Sequence, residues 1–161
     1  MNGPLASAKD IEMTDIAAVD TDVQMIDIAT ADNSSLKKPR LILPCILSAV
    51  DNRAIQLETQ VLIDSGATDN VIGSTLVRQH GIPLKKKSKP VVARVIDGRE
   101  LELITHEAIL TVVVAGHASE EIFDVTKLGH QQVVLGQSFL KNHNPEVDWA
   151  KGKVTGWNVR G

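Results

Sequence analysis

From Leu41 onward the chain reads as apolar runs divided by turn residues. LILPCILSAV (41–50) and IQLETQVLI (55–63) are β-rich and are separated by Asp51-Asn52-Arg53, a polar cluster suited to a hairpin. VVARVI (91–96) and RELELI (99–104) flank Asp97-Gly98, and Asp-Gly between apolar runs is the strongest short-range hairpin signal. AILTVVVA (108–115) and EEIFDVT (120–126) flank Gly116-His117, a third hairpin. Two short helices fit the remainder. One runs from Ser74, a good N-cap, to Gly81, a good residue to end on, with Pro83 just beyond. The other begins near Gly136 and stops before Pro145. The pattern predicts an all-β, mostly antiparallel domain with two helical turns and no internal repeat.

Composition sharpens this picture. Hydrophobic residues are 43% and charged residues 23% of 161, a globular balance. Phe123, Phe139, Trp149 and Trp157 are the whole aromatic complement, so Val, Ile and Leu must fill the core. Nucleic-acid platforms that stack bases need rows of aromatics, and a net charge of −3 argues against a phosphate-binding surface. No apolar run approaches the roughly 20 residues that span a bilayer, and no signal peptide opens the chain. The expected setting is intracellular and cytoplasmic, with no membrane partner. Cys45 is alone, so it forms no internal disulfide and defines no zinc site.

Charge also marks a boundary. Asp10, Glu12, Asp15, Asp20, Asp22, Asp27 and Asp32 stand against Lys9 alone in residues 1–36, a net of −6 that leaves +3 for the rest. The isolated Ile and Met residues of this stretch lack a sustained period, so residues 1–36 read as a disordered acidic leader. Residues 37–43, with Lys37-Lys38-Pro39-Arg40, read as a basic linker leading into the first strand.

The informative segment is VLIDSGATDNVIG. The apolar strand Val61-Leu62-Ile63 delivers Asp64 into the small-residue loop Ser65-Gly66-Ala67-Thr68, and the chain returns to apolar Val71-Ile72. A carboxylate directly after a buried strand is costly to ionise unless the loop donates hydrogen bonds to it. Gly66 lets a backbone approach closely. The same residues also suit a plain turn closed by an Asp and satisfied by local amides.

The wider pattern favours chemistry. Hydrophobic-hydrophobic-Asp-Ser-Gly-Ala-Thr resembles the active-site loop of aspartic proteases. Seventy-two residues on, Val133-Val134-Leu135-Gly136 followed by QSFL resembles their second signature, in which an apolar strand crosses behind the active loop and a Gly opens a short helix. The hairpin with Asp97-Gly98 at its tip lies where that family carries its flap, and HNPEVDWAKGKV (143–154) is similar to the segment after the helix in gypsy-type LTR retrotransposon proteases. The resemblance covers 44–157 and implies a retropepsin-like fold: a small closed barrel, a flap hairpin and one or two short helices. Residues 158–161 then read as the start of a continuation into a longer precursor.

The resemblance carries a stoichiometric consequence. Aspartic proteases need two carboxylates sharing a proton, and this chain holds one Asp-Ser/Thr-Gly triplet. A homodimer giving one Asp64 per subunit is the retropepsin solution. The resemblance also implies that Asp64 is catalytic, that Ser65 and Gly66 support the loop, and that Leu135 and Gly136 form the structural second signature. A polypeptide substrate would lie as an extended strand over Gly66, Ala67 and Thr68, with Ile96, Asp97 and Gly98 closing above it. No cofactor or metal is implied. Polyprotein processing, in the cytoplasm or inside a virus-like particle, would be the setting.

Departures from the viral pattern are visible. Thr68 stands where many viral enzymes carry an acid, and Gln137 where they carry its Arg partner, so that salt bridge is absent as a pair. The flap tip has a single Gly, and the leader crowds the free termini on which viral dimers rely. A non-catalytic dimerisation or peptide-binding module derived from a protease stays open as the alternative, although an intact Asp64-Ser65-Gly66 argues against disuse. A phosphoaspartate hydrolase would want a second Asp where Gly66 stands. The five histidines show no ligand spacing, Lys85-Lys86-Lys87 reads as a solvated loop, and Cys45 as a small core residue.

Overall fold

The computed structural model describes residues 24–28, 41–95 and 101–158. Its strands are β1 (Gln24–Ile28), β2 (Leu41–Ala49), β3 (Gln56–Ile63), β4 (Val71–Gly73), β5 (Lys85–Val95), β6 (Leu101–Val114), β7 (His117–Thr126), β8 (Val133–Leu135), β9 (Pro145–Asp148) and β10 (Lys153–Trp157). Among the described residues two helices interrupt them, α1 (Ser74–His80) and α2 (Gln137–His143). Hydrogen bonding runs β6-β2-β3-β8-β4-β7 and returns to β6, which closes a six-stranded barrel. β5 and then β1 extend outward from β6, and β9–β10 is a separate hairpin. Closure leaves few free edges on a small domain.

The three expected hairpins all form. β2 and β3 pair antiparallel from Leu41↔Ile63 to Ser48↔Gln56. Strict alternation buries Leu41, Leu43, Cys45, Leu47 and Ala49 along β2. Pro44, which has no N–H, sits just outside the Cys45–Ala49 stretch that also pairs with β6, where a missing donor is tolerated. β6 and β7 turn at Ala115-Gly116, whose φ values of 49° and 75° are both left-handed, as a type I′ two-residue turn needs. The turn is thus one residue earlier than Gly116-His117, and His117 already belongs to the strand. β5 and β6 pair as the flap hairpin, but Ile96, Asp97 and Gly98 at its tip lie outside the described residues.

Three expectations are corrected. Ser74 is the first helical residue of α1; Gly73 is the N-cap, with no side-chain cap. Gly81 ends the helix as expected, left-handed at φ 63°. Lys85-Lys86-Lys87 opens β5 instead of forming a loop, because Lys85 and Lys86 pair with Glu107 and His106, where an acid faces the basic run. Gln24–Ile28, inside the acidic leader, pairs in parallel with Val91–Val95. The outer edge of β5 presents unpaired backbone groups, and an extended segment can satisfy them without a hydrophobic period of its own. The rest of the leader, Lys37-Lys38-Pro39-Arg40 and residues 159–161 lie outside the described residues.

Two buried clusters hold the structure. The barrel core centres on Leu47, Val61, Ile72, Leu110, Phe123 and Phe139, so the two Phe residues supply its bulk. A second cluster joins Leu62, Ala67, Val71, Val91, Ala93, Ile104 and Val134. It ties the base of the flap to the loop after Asp64.

Candidate active site

The site grows from a parallel strand pair. Leu62 lies opposite Val134 and Ile63 opposite Leu135, all of them buried. Both strands end at one rim, so Asp64 and Gly136 emerge side by side. The Asp64 N–H donates to the Leu135 carbonyl at 3.0 Å, which fixes the point of emergence. Asp64 is half-buried, while Ser65 and Gly66 are exposed. The Gly66 N–H donates to Asp64 Oδ1 at 2.8 Å, and the Ala67 N–H to the Asp64 carbonyl at 3.1 Å. The carboxylate is therefore aimed by its own loop.

Helix α2 grips that loop from behind. The Gln137 and Ser138 N–H groups donate to the Ala67 and Thr68 carbonyls at 2.9 and 3.2 Å. These carbonyls take the orphan amides of a helix that has no side-chain cap. Gln137 Nε2 donates to the Ser65 carbonyl at 2.8 Å, so the residue in the Arg position braces the loop through its backbone. Gly136 is required by space: a Cβ there would lie 2.6 Å from the Asp69 carbonyl oxygen and 2.7 Å from that of Ala67.

The expected site residues separate into groups. Asp64, Ser65 and Gly66 form the open face, Leu135 and Gly136 back it, and Thr68 is half-buried. Ala67 differs from the expectation that it would line the cleft. Its side chain is fully buried in the flap-base cluster, and it serves through its backbone. A residue that pattern reading missed is Asn70. It is 3% exposed, and its Oδ1 accepts from the Gly136 N–H at 3.1 Å and from Ser138 Oγ at 3.4 Å. Nothing in DSGATDN marks an Asn as a strut, since Asn is common in loops for local reasons.

A cavity of about 450 Å³ opens between Asp69 of the loop and Val91 of β5. Lys87 crosses it to Asp124 at 2.7 Å and Glu107 at 3.2 Å. Burial opposes the Lys87 charge, but Asp124 and then Glu107 outweigh it, and its pKa lies above the ordinary lysine value. Burial lifts the Asp124 carboxyl above its usual range, with Lys87 pulling the other way. Lys87 is thus an ion-paired strand residue, unlike the solvated lysine expected.

Among the described residues, no group of three or more His, Cys, Asp or Glu could hold a metal ion, and no helix is long and apolar enough to cross a membrane. Cys45 is buried on β2, and burial pushes its thiol up to about 11, far from a reactive thiolate.

This geometry has relatives. The chain is similar to the retroviral protease-like domain of Ddi1 from Leishmania major, with 19% identity, a TM-score of 0.51, and coverage of 73% of this chain and 88% of that one. A Legionella pneumophila protein of unknown function, Lpg0085, aligns at 10% identity and a TM-score of 0.38, over 63% of this chain and 84% of its own. The first likeness establishes a retropepsin-like fold, and the second carries no weight here. The PEG10/RTL1 protease-domain family matches residues 60–160, from the strand that delivers Asp64 to beyond the β9–β10 hairpin. With more than half of its length inside that match, the chain belongs to the PEG10/RTL1 protease-domain family, retropepsin-like and derived from retrotransposon gag-pol sequences.

Proposed function

We propose that the chain is an aspartic endopeptidase acting as a homodimer, with one Asp64 from each protomer at a shared site. The observation that carries this reading is how Asp64 is held. It emerges from a paired strand end into a loop braced by five backbone or side-chain hydrogen bonds, yet its neighbours Ser65 and Gly66 face outward. A residue meant only to close a turn needs no such bracing from a helix 72 residues away.

One carboxylate per chain sets the stoichiometry. Two Asp64 side chains a few ångströms apart cannot both ionise, so the pair carries a single proton. The ionised member takes a proton from a water lying between them. The protonated member polarises the scissile carbonyl and gives up its proton as the water oxygen attacks. Ser65 hydroxyls brace the loops across the axis, and the Gly66 carbonyl accepts a hydrogen bond from the substrate backbone. The substrate lies extended as an added strand, with Ile96, Asp97 and Gly98 closing over it. β5 shares a buried cluster with the active loop through Val91 and Ala93, and its outer edge already takes up an extended segment, Gln24–Ile28. That supports strand addition as the binding mode. Polyprotein processing in the cell interior is the role this activity fits.

The test uses the full chain. Wild type and Asp64→Asn are each co-expressed with a polyprotein precursor, and processed bands are followed with and without pepstatin. Wild type should cleave in a pepstatin-sensitive manner, and Asp64→Asn should not, while remaining folded, since the amide keeps the shape and cannot share a proton. A wild-type chain that cleaves nothing points to the non-catalytic peptide-binding module. Equal cleavage by both proteins removes Asp64 from its role.

A further inference from the structure

We infer that Glu121 and His143, acting through Asn70, are positioning residues that set the Asp64 loop; only the kinetic part of this inference rests on the protease reading. The starting point is an inversion in β7. Glu121 is 7% exposed and its neighbour Ile122 is 54% exposed, the reverse of what either side chain favours. Burying a carboxylate is costly unless partners replace its water. The partners here are specific. Asn70 Nδ2 donates to Glu121 Oε1 at 3.3 Å, and His143 Nε2 lies 2.8 Å from Glu121 Oε2.

Asn70 connects this pair to the site. Its Nδ2 faces two acceptors, Glu121 and the Ile122 carbonyl, and its Oδ1 faces two donors, the Gly136 N–H and Ser138 Oγ. Its own carbonyl accepts from the Asp124 N–H at 3.0 Å. A flipped amide would set N–H against N–H and oxygen against oxygen, so Glu121, together with the Ile122 carbonyl, selects the orientation that holds Gly136 against the loop. His143 closes the other end. It is the last residue of α2, the helix whose first amides grip Ala67 and Thr68. Its Nδ1 lies 2.9 Å from His117 Nε2, and His117 stacks on Trp157 at a centroid distance of 4.3 Å. Burial, then the nearby His143, holds His117 below the ordinary histidine value, with Glu121 pulling it back, so a neutral His117 can serve as the outer partner. None of these groups approaches the reacting atoms; they act by holding both ends of α2.

The decisive variant is Glu121→Leu, which puts an apolar side chain at an inward position. Leaving the Asn70 amide and His143 unpaired lowers stability on either view, but a merely structural carboxylate would leave the loop and the turnover of the folded protein unmoved. A positioning carboxylate predicts a kcat at least about tenfold lower with KM nearly unchanged, because sub-ångström misplacement of a reacting group is that expensive. Glu121→Gln should retain most of the turnover, since its oxygen can still accept from Asn70 while a change of His143 tautomer accepts its N–H. Independently of catalysis, the backbone amide NMR signals of Gly66, Ala67 and Gly136 should shift in Glu121→Leu and stay near wild type in Glu121→Gln. If Glu121→Leu does not fold, Asn70→Asp should disrupt the same signals, and adding Glu121→Gln should partly restore them by re-forming a donor–acceptor pair. Unmoved loop amides in Glu121→Leu, or a double variant no better than Asn70→Asp alone, would overturn the inference. A wild type without protease activity defeats the proposed function and leaves the NMR result to decide this one.

Discussion

Gly136→Ala isolates the contact between the second signature and the active loop. The backbone of Gly136, at φ −103° and ψ −158°, suits any residue, so strain in the chain itself is not at issue. The added Cβ would lie 2.6 Å from the Asp69 carbonyl oxygen and 2.7 Å from that of Ala67, both backbone atoms that cannot rotate away. Relief requires the loop and the start of α2 to separate by more than half an ångström. Overpacking of this kind costs about 1–3 kcal/mol. The separation also stretches the Gly136–Asn70 and Gln137–Ala67 hydrogen bonds, worth about 1 kcal/mol each. Loss of chain entropy in the unfolded state returns about 0.4–1 kcal/mol. The expected net destabilisation is about 2–4 kcal/mol.

A control separates this from an ordinary glycine effect. Gly81 has φ 63° and no atom within 4 Å of an added Cβ, so Gly81→Ala costs only conformational strain of about 1–2 kcal/mol. Urea unfolding should rank Gly136→Ala as the more destabilised. Turnover measured well below the unfolding transition should fall about 100-fold in Gly136→Ala and stay at the wild-type level in Gly81→Ala. The reasoning fails if Gly136→Ala is no less stable than Gly81→Ala, or if it keeps full turnover.

Two further predictions follow from the proposed function. Specific activity should rise with enzyme concentration and plateau as dimer dominates. A single-chain fusion of two copies should lose that dependence while keeping a bell-shaped pH profile, and Asp64→Asn in one half should silence it; strong activity in the half-mutant sinks the shared-site reading. Removing residues 1–36 frees the β5 edge that Gln24–Ile28 occupies, so KM for an extended peptide should fall severalfold with kcat little changed. An unchanged KM would place the substrate elsewhere.

Much of the architecture was legible because it rests on local signals. The alternation of β2, the polar turn at Asp51-Asn52-Arg53 and the stop at Gly81-Ile82-Pro83 each act within a few residues. Barrel closure was not legible in the same way. β4 and β8 are three residues long, too short to carry a period, and they are strands because they pair antiparallel with each other and in parallel with β7 and β3. Gly73 caps α1 in place of Ser74 because β4 keeps it extended and hydrogen-bonded, its N–H donating to the Gln132 carbonyl at 2.8 Å. Lys87 misled for a related reason: a lysine run reads as solvated until acids 20 and 37 residues away meet it.

The polar struts of the site were the hardest to see, and their concealment has a physical basis. Pattern reading assumes that inward positions are apolar, so a buried Glu121 beside an exposed Ile122 registers only as a break in alternation. The carboxylate is tolerable because Asn70, 51 residues earlier, and His143, 22 residues later, meet it in the folded chain. Each of the three would be a liability alone, for each would leave a buried or half-buried polar group unpaired. Together they leave Asn70 one orientation, and that orientation holds Gly136 against the loop that carries Asp64. An apolar substitute at position 121 would restore the hydrophobic pattern but would leave the amide of Asn70 without its carboxylate partner. The exception to the hydrophobic pattern is therefore where fold and site are joined.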